Sequence, residues 1–180
     1  MTMTDAVTVS PLDADGLAAR LDDLGALLHA CVLAGANVNF VLPFSVAQAS
    51  AFWADKALPP ARAGTRRLWV ARDGDGAIVG TVMLGTDTPP NQPHRAEVSK
   101  LLVHPDARRR GIARALMAAL EAEARRLGRT LLTLDTRTGD LAEPLYRSLG
   151  YVTVGVIPDF CLDPIEPGRL FGATFMYKVL

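Results

Sequence analysis

The sequence predicts a mixed α/β domain with a mostly antiparallel sheet of about seven strands and about four helices, and three observations lead there. The apolar period is helical before residue 60 and extended after residue 66. Residues 96–136 read strand, helix, strand, a crossover that requires locally parallel pairing. A hairpin precedes that crossover and two strands follow it, so the sheet is mixed. With 180 residues, 49% of them hydrophobic, the chain is expected to form one domain spanning 1–180 around one sizeable core.

The elements follow in order. Residues 6–13 (AVTVSPLD) read as a short strand stopping at Pro11. From Asp13 to about Leu33 the residues Leu17, Leu21, Leu24, Leu27, Leu28 and Val32 keep helical spacing, predicting one long amphipathic helix. A loop rich in Gly, Asn and Pro (34–45) ends at Ser45, a cap for the helix VAQASAFWADKAL, which Pro59 and Pro60 should terminate. Residues 66–73 and 77–85, joined by Gly74, Asp75 and Gly76, form the hairpin, and 96–105 a longer strand. Residues 111–128 are a helix with Ile112, Leu116, Leu120, Ala124 and Leu127 on one face, a Glu121 to Arg125 pair outside, and Gly128 as the stop. Residues 131–136 are a buried type of strand, and Pro144 is tolerable in the following short helix because it lies in the first turn. YVTVGVIP and TFMYKVL are the last two strands, and the Pro/Gly-rich segment from Pro158 to Phe171 between them could cap a pocket or meet a second subunit.

Charge and cysteine usage narrow the function. Nineteen basic and nineteen acidic residues cancel, which disfavours a nucleic-acid or acidic-membrane binder. Cys31 and Cys161 lack clustered partners, and His29, His94 and His104 lack ligand spacing, so neither a disulfide framework nor a metal site is expected. The start of the chain lacks a basic region followed by an apolar run, and no apolar stretch reaches the roughly 18 residues of a membrane span, so a soluble cytoplasmic protein is expected.

One stretch goes against ordinary helix electrostatics. ARRRGIARAL (107–116) sets three arginines before the first turn of a helix, an end that already carries about half a positive charge. The arrangement becomes favourable when an anion of two or more charges, a phosphate or pyrophosphate, sits on the unpaired N–H groups of that turn. Gly111 lets the backbone approach such a group and small Ala113 keeps the turn uncrowded. A P-loop would need a Gly-Lys-Ser/Thr that is absent here, a DNA-recognition helix conflicts with the neutral charge, and a ligand-free charged turn remains the bland alternative.

The run VSKLLVHPDARRRGIARALM resembles the acetyl-CoA-binding signature of the GCN5-related N-acetyltransferase (GNAT) family, a Gln/Arg, two residues, Gly, any residue, Gly/Ala, filled by Arg108, Gly111 and Ala113. LTLDT followed by LYRSLGY is similar to that family's later strand and Tyr-bearing helix. GANVNF, HRAEVSKLLV, LDT, GVIPDFC and GRLFGATFMYK extend the likeness towards the tabtoxin-resistance subgroup, with departures at Ala113, where the subgroup has Gly, and Pro144, where it has Ala.

The resemblance implies a GNAT-type sheet, acetyl-CoA as cosubstrate without a metal, and direct acetyl transfer to a primary amine of a small molecule. The acceptor it suggests is amino-acid-like or a β-lactam dipeptide toxin, with a polyamine, an antibiotic or a non-catalytic acyl-CoA-binding role as alternatives. By the same resemblance Arg108, Arg109, Arg110, Gly111, Ile112, Ala113 and Arg114 hold the pyrophosphate, Leu101, Leu102 and Val103 run beside pantetheine, and Asp140 adds a cofactor contact. Tyr146 matches the general acid for the leaving thiolate, its alternative being a half-buried aromatic. Glu97 and Asp135 are catalytic candidates, Glu97 towards the amine and Asp135 nearer the thioester or orienting the substrate, with a surface position and a turn cap as their alternatives. Strand and helix rises set Asp135 about 15 Å further along the sheet than Glu97, arguing against a direct carboxylate pair. Asn37, Asn39 and Phe40 are the substrate-contact candidates, and the family habit implies a homodimer.

Overall fold

The computed structural model describes residues 7–180. Ala6, where the first predicted strand begins, and the N-terminal residues read for a leader lie outside the described residues, as does residues 1–6 of the predicted domain span. Seven strands form one sheet in the order β1-β2-β3-β4-β5-β7-β6: β1 Thr8–Leu12, β2 Arg66–Arg72, β3 Ile78–Gly85, β4 Arg95–Val103, β5 Leu131–Arg137, β6 Val152–Leu162 and β7 Leu170–Val179. Every neighbouring pair is antiparallel except β4 and β5, the pair joined by the helical crossover.

Helices α1 (Ala14–Ala19), α2 (Leu21–Leu33), α3 (Val46–Phe52) and α4 (Leu58–Arg62) cover one face; α5 (Ile112–Arg126) and α6 (Ala142–Ser148) lie with the core of the other. Strand β2 shows why both faces are apolar: Leu68 and Val70 pack with Trp53 and Leu28, while Trp69 and Ala71 pack with Leu116 and Leu120. Each fully buried leucine of this kind contributes about 2 kcal/mol of transfer free energy.

Several elements differ from expectation. Strand β1 continues through Pro11, which pairs with Trp69; as an edge strand with β2 as its only neighbour it tolerates the missing N–H. The first predicted helix is two, because Arg20 (φ −126°, ψ 25°) leaves helical geometry between α1 and α2. Pro59 and Pro60 do not stop the next helix: a π-helical turn, Trp53–Ala57, carries the chain into α4, whose first turn needs no proline N–H. Strand β6 runs on through Pro158 to Leu162, so much of the segment expected as a loop is strand.

Glu121 is the largest correction on α5. It is not outside but 7% exposed, because Lys178 of β7 reaches its carboxylate at 2.7 Å, with Arg125 at 3.8 Å. Lys178→Met leaves that carboxylate buried with a weaker partner, so urea denaturation should show a loss of about 3 kcal/mol.

The middle of β4 carries a bulge. Met83 pairs with Ser99 and Thr81 with Leu102, so three steps on β4 span two on β3, and Lys100 takes the left-handed conformation at φ 51°. Ala96 and Val98 face α5 before the bulge and Leu101 and Val103 after it, while Leu102 packs on α2's side.

Candidate active site

Beyond Val103 the chain makes a 3-10 turn, Pro105–Ala107, and enters the arginine loop. Arg109 (φ 62°) and Gly111 (φ 77°) are both left-handed, a backbone alternation that turns successive N–H groups towards one concavity. Gly111 precedes α5 with no side-chain cap, and the first turn holds no acidic residue. A Cβ added at Gly111 would meet nothing within 4 Å, so the cradle is open at its rim. The N–H donors and dipole of this 15-residue helix therefore have no acidic residue in the first turn and no side-chain cap among the described residues to satisfy them.

A groove of about 500 Å³ opens from that cradle. Leu101, Leu102 and Val103 line it along β4, Arg108, Arg109, Gly111, Ile112, Ala113 and Arg114 at the loop, and Asp140 with Leu141, Ala142 and Leu145 near α6. Arg108 Nε donates to Val103 O (3.4 Å) and Arg114 Nη2 to Ser148 Oγ (2.8 Å). Asp140 Oδ1 accepts from Leu141 N (2.6 Å). Arg110 lines a different cleft instead, of about 700 Å³, with Arg20, Asp73 and His104; the third arginine of the run turns away from the groove. Cys31 borders the groove, its Sγ donating to Val103 O at 3.5 Å, and burial pushes this thiol up to about 11, which keeps it protonated and inert.

Parallel pairing of β4 with β5 ends at Glu97 opposite Thr133, and beyond that point the two strands part. Asp135 is thus two residues past the last pair, about 7 Å along the strand, closer to Glu97 than helix length implied. The crossover returns further than helix length implies: Thr130 and Leu131 bond back to His94 O, so β5 starts beside the beginning of β4. Glu97 is 58% exposed at its side chain and accepts from Arg95 Nη1 at 2.7 Å, while the same guanidinium donates to Thr133 Oγ1 at 2.9 Å.

Tyr146 is 6% exposed, packed at 5.6 Å from the ring of Tyr151. Burial first, then the negative charges of Asp135 and Asp140, hold its phenol above the ordinary tyrosine range, so it keeps its proton. Pro144 leaves this helix intact: Glu143 accepts from Gly139 N (2.9 Å) and pairs with Arg147 (2.5 Å), fastening the turn that bears Tyr146.

The loop after α2 crosses beneath the bulge. Asn37 Nδ2 donates to Cys161 Sγ (2.7 Å), tying the loop to β6, and Leu42 N donates to Pro164 O (2.8 Å). Asn39 is exposed at φ 77°. Phe40 stacks on Phe44 (4.4 Å) and meets Phe52 edge-on (5.4 Å).

Sequence reading missed Lys100. Its ammonium donates to Val38 O (3.1 Å) and lies 5.1 Å from the Phe52 ring centre and 5.8 Å from that of Phe40. Burial lowers its pKa to about 8, with Asp135 opposing and Arg66 reinforcing the drop. The available signal was a lysine inside the apolar run VSKLLV in a chain with only Lys56 and Lys178 besides. Between pH 8 and 10.5 the unfolded chain binds a proton at this residue that the native state lacks, so its contribution to stability rises with pH across that window. Urea midpoints of wild type minus Lys100→Met should accordingly climb over that range; a fall would contradict the burial of the ammonium.

Among the described residues no cluster of three or more His, Cys, Asp or Glu could hold a metal, and no helix is long and apolar enough to cross a membrane.

Residues 38–151 match the model of the acetyltransferase (GNAT) family. The chain is 38% identical over 91 residues to Acetyltransferase ECA0875 of Pectobacterium atrosepticum and 37% identical over 91 to Acetyltransferase YE1169 of Yersinia enterocolitica, each match covering 50% of this chain. It spans 61% of the length of these curated relatives. Among solved structures it is similar to a GCN5-related N-acetyltransferase from Kribbella flavida, at TM-score 0.76 and 25% identity, over 97% of this chain and 98% of that one. A phosphinothricin acetyltransferase from Sinorhizobium meliloti, solved in complex with acetyl-CoA, shares the fold at TM-score 0.75 and 22% identity, over 97% and 88% of the two chains.

Proposed function

This chain belongs to the acetyltransferase (GNAT) family, and we propose that it is an N-acetyltransferase acting through residues 1–180 as one domain, with acetyl-CoA as donor and a primary amine of a small molecule as acceptor. The observation that carries the reading is the uncapped start of α5, with left-handed Arg109 and Gly111, opening into a groove that runs along β4 to α6. The residues fit the cofactor: backbone N–H groups of 109–114 with Arg108 and Arg114 suit a pyrophosphate, and the apolar wall of Leu101, Leu102 and Val103 suits pantetheine. Bound there, acetyl-CoA supplies the activated acetyl thioester.

The chain's own groups do the rest. Tyr146, protonated and buried, holds a proton for the departing thiolate. Asp135, past the fork of β4 and β5, orients the acceptor's amino group, and Glu97, at the last strand pair, takes a proton from the arriving ammonium. The loop of Asn37, Asn39 and Phe40 bounds the acceptor side. An amino-acid-like or β-lactam dipeptide acceptor, as in the tabtoxin-resistance subgroup, is the proposed substrate, and the cytoplasm the proposed setting.

A homodimer is part of the proposal. Strand β6 forms an edge of the sheet and exposes Val152, Val154, Val156, Ile157 and Phe160, a surface that invites a second copy. Val154→Lys with Val156→Lys should convert a dimer seen by light scattering to monomer; unchanged mass would place the contact elsewhere.

Isothermal titration with acetyl-CoA and with a pantetheine analogue lacking the pyrophosphate tests the donor site, and equal affinity for both would sink it. Free-thiol release across an amine panel tests the activity. Tight acetyl-CoA binding with no thiol released by any amine would make the chain an acyl-CoA-binding module instead.

A further inference from the structure

We propose that Lys100 reads a carboxylate on the acceptor, so that preferred substrates carry an anionic group beside the reacting amine and plain cationic amines are disfavoured. This rests on the acetyl-transfer reading and narrows its acceptor.

A lysine in the left-handed region is strained, and the strand keeps it there: Thr81 Oγ1 donates to Lys100 O at 3.0 Å, at the site of the bulge. The result is an ammonium on the sheet face that carries Phe40 and Phe52. An ammonium has three donors; among the described residues its one hydrogen-bond acceptor is Val38 O. The two rings offer their negative faces but no lone pair. Donor capacity therefore remains for an oxygen that the described residues do not supply.

The charges around it point to a zwitterion. Leu132 and Leu134 of β5 pack towards α5, which turns Asp135 to the opposite face, that of Lys100. Asp135 is exposed and acts on Lys100 through space, whereas Glu97 also pairs with Arg95 and Asp87 with Arg66. A cation and an anion share one sheet face and influence each other through space without a direct bond, matching an acceptor whose carboxylate meets Lys100 and whose amino group meets Asp135. A diamine would instead set its second ammonium against Lys100, with Arg66 of β2 adding to the repulsion.

The test uses matched probes, each an amino acid with its decarboxylated amine: phenylalanine with phenethylamine, and lysine with cadaverine. Lys100→Met should lower kcat/KM for the amino acids by about tenfold or more while leaving phenethylamine within about twofold and raising cadaverine, whose second ammonium is no longer repelled, and Lys100→Arg should recover part of the amino-acid loss. Equal losses on both members would overturn the proposal, since a structural or proton-accepting lysine serves both alike. A second readout needs no turnover. With only Lys56, Lys100 and Lys178 in the chain, the Lys100 side-chain carbon signal is assignable in wild type, and saturating amino acid should raise its titration midpoint above about 8 while the paired amine does not. An unmoved signal with both amino acids overturns the carboxylate role even if the protein releases no thiol, whereas absent thiol release with a moved signal overturns only the acetyl-transfer reading.

Discussion

Tyr146→Phe lowers kcat of thiol release by about 100-fold or more while leaving acetyl-CoA affinity within about twofold, the range expected when a positioned general acid is removed. The phenol is 6% exposed and its ring packs on Tyr151, so phenylalanine keeps the packing and removes only the oxygen. The pH profile adds a sign. Burial and the charges of Asp135 and Asp140 raise this phenol, so the acid stays protonated through the alkaline range and contributes no falling limb below about pH 10. Single-turnover kinetics from pH 6 to 9.5 would check both points. Unchanged turnover in the phenylalanine variant would make Tyr146 a packing residue only.

Gly111→Glu should weaken acetyl-CoA binding by about 100-fold, the equivalent of one or two charge-assisted hydrogen bonds lost from the cradle. At φ 77° any side chain carries a strain of about 1–2 kcal/mol, and a carboxylate there opposes a second negative charge. The fold should survive, because a Cβ at this position touches nothing within 4 Å. Gly111→Ala separates the two effects, keeping the strain without the charge. If titration calorimetry gives wild-type affinity for both variants, the anion enters elsewhere, the cleft at Arg110 being the next place to look.

What could be read from the sequence was local. The arginine loop announces itself because glycine, cationic excess and a helix start are adjacent in the chain, and the crossover because its period changes twice within 40 residues. What could not be read depended on partners distant in sequence. Glu121 reads as surface on its own helix, and its closest partner in the interior, Lys178, lies 57 positions away. Asp135 was set too far from Glu97 because helix length alone does not say where a crossover re-enters the sheet. Lys100 was passed over because a bulge is a property of two strands together, visible only when Thr81 is found opposite Leu102 and Met83 opposite Ser99. Pro11 and the Pro59–Pro60 pair show the same limit: proline forbids an N–H bond, and whether the position needed one is decided by an edge or a new first turn.

The bulge at Lys100 also bears on how such a chain can change over generations. A substitution at residue 100 alters what meets the acceptor and leaves Leu101 and Val103 facing the donor groove. A single-residue deletion in the same place would restore strict alternation and rotate Ala96, Glu97 and Val98 by half a turn, driving the Glu97 carboxylate into the apolar layer under α5. If Lys100 meets the acceptor as proposed, preference at this strand can drift by point mutation, while the bulge closes the strand to loss of a single residue.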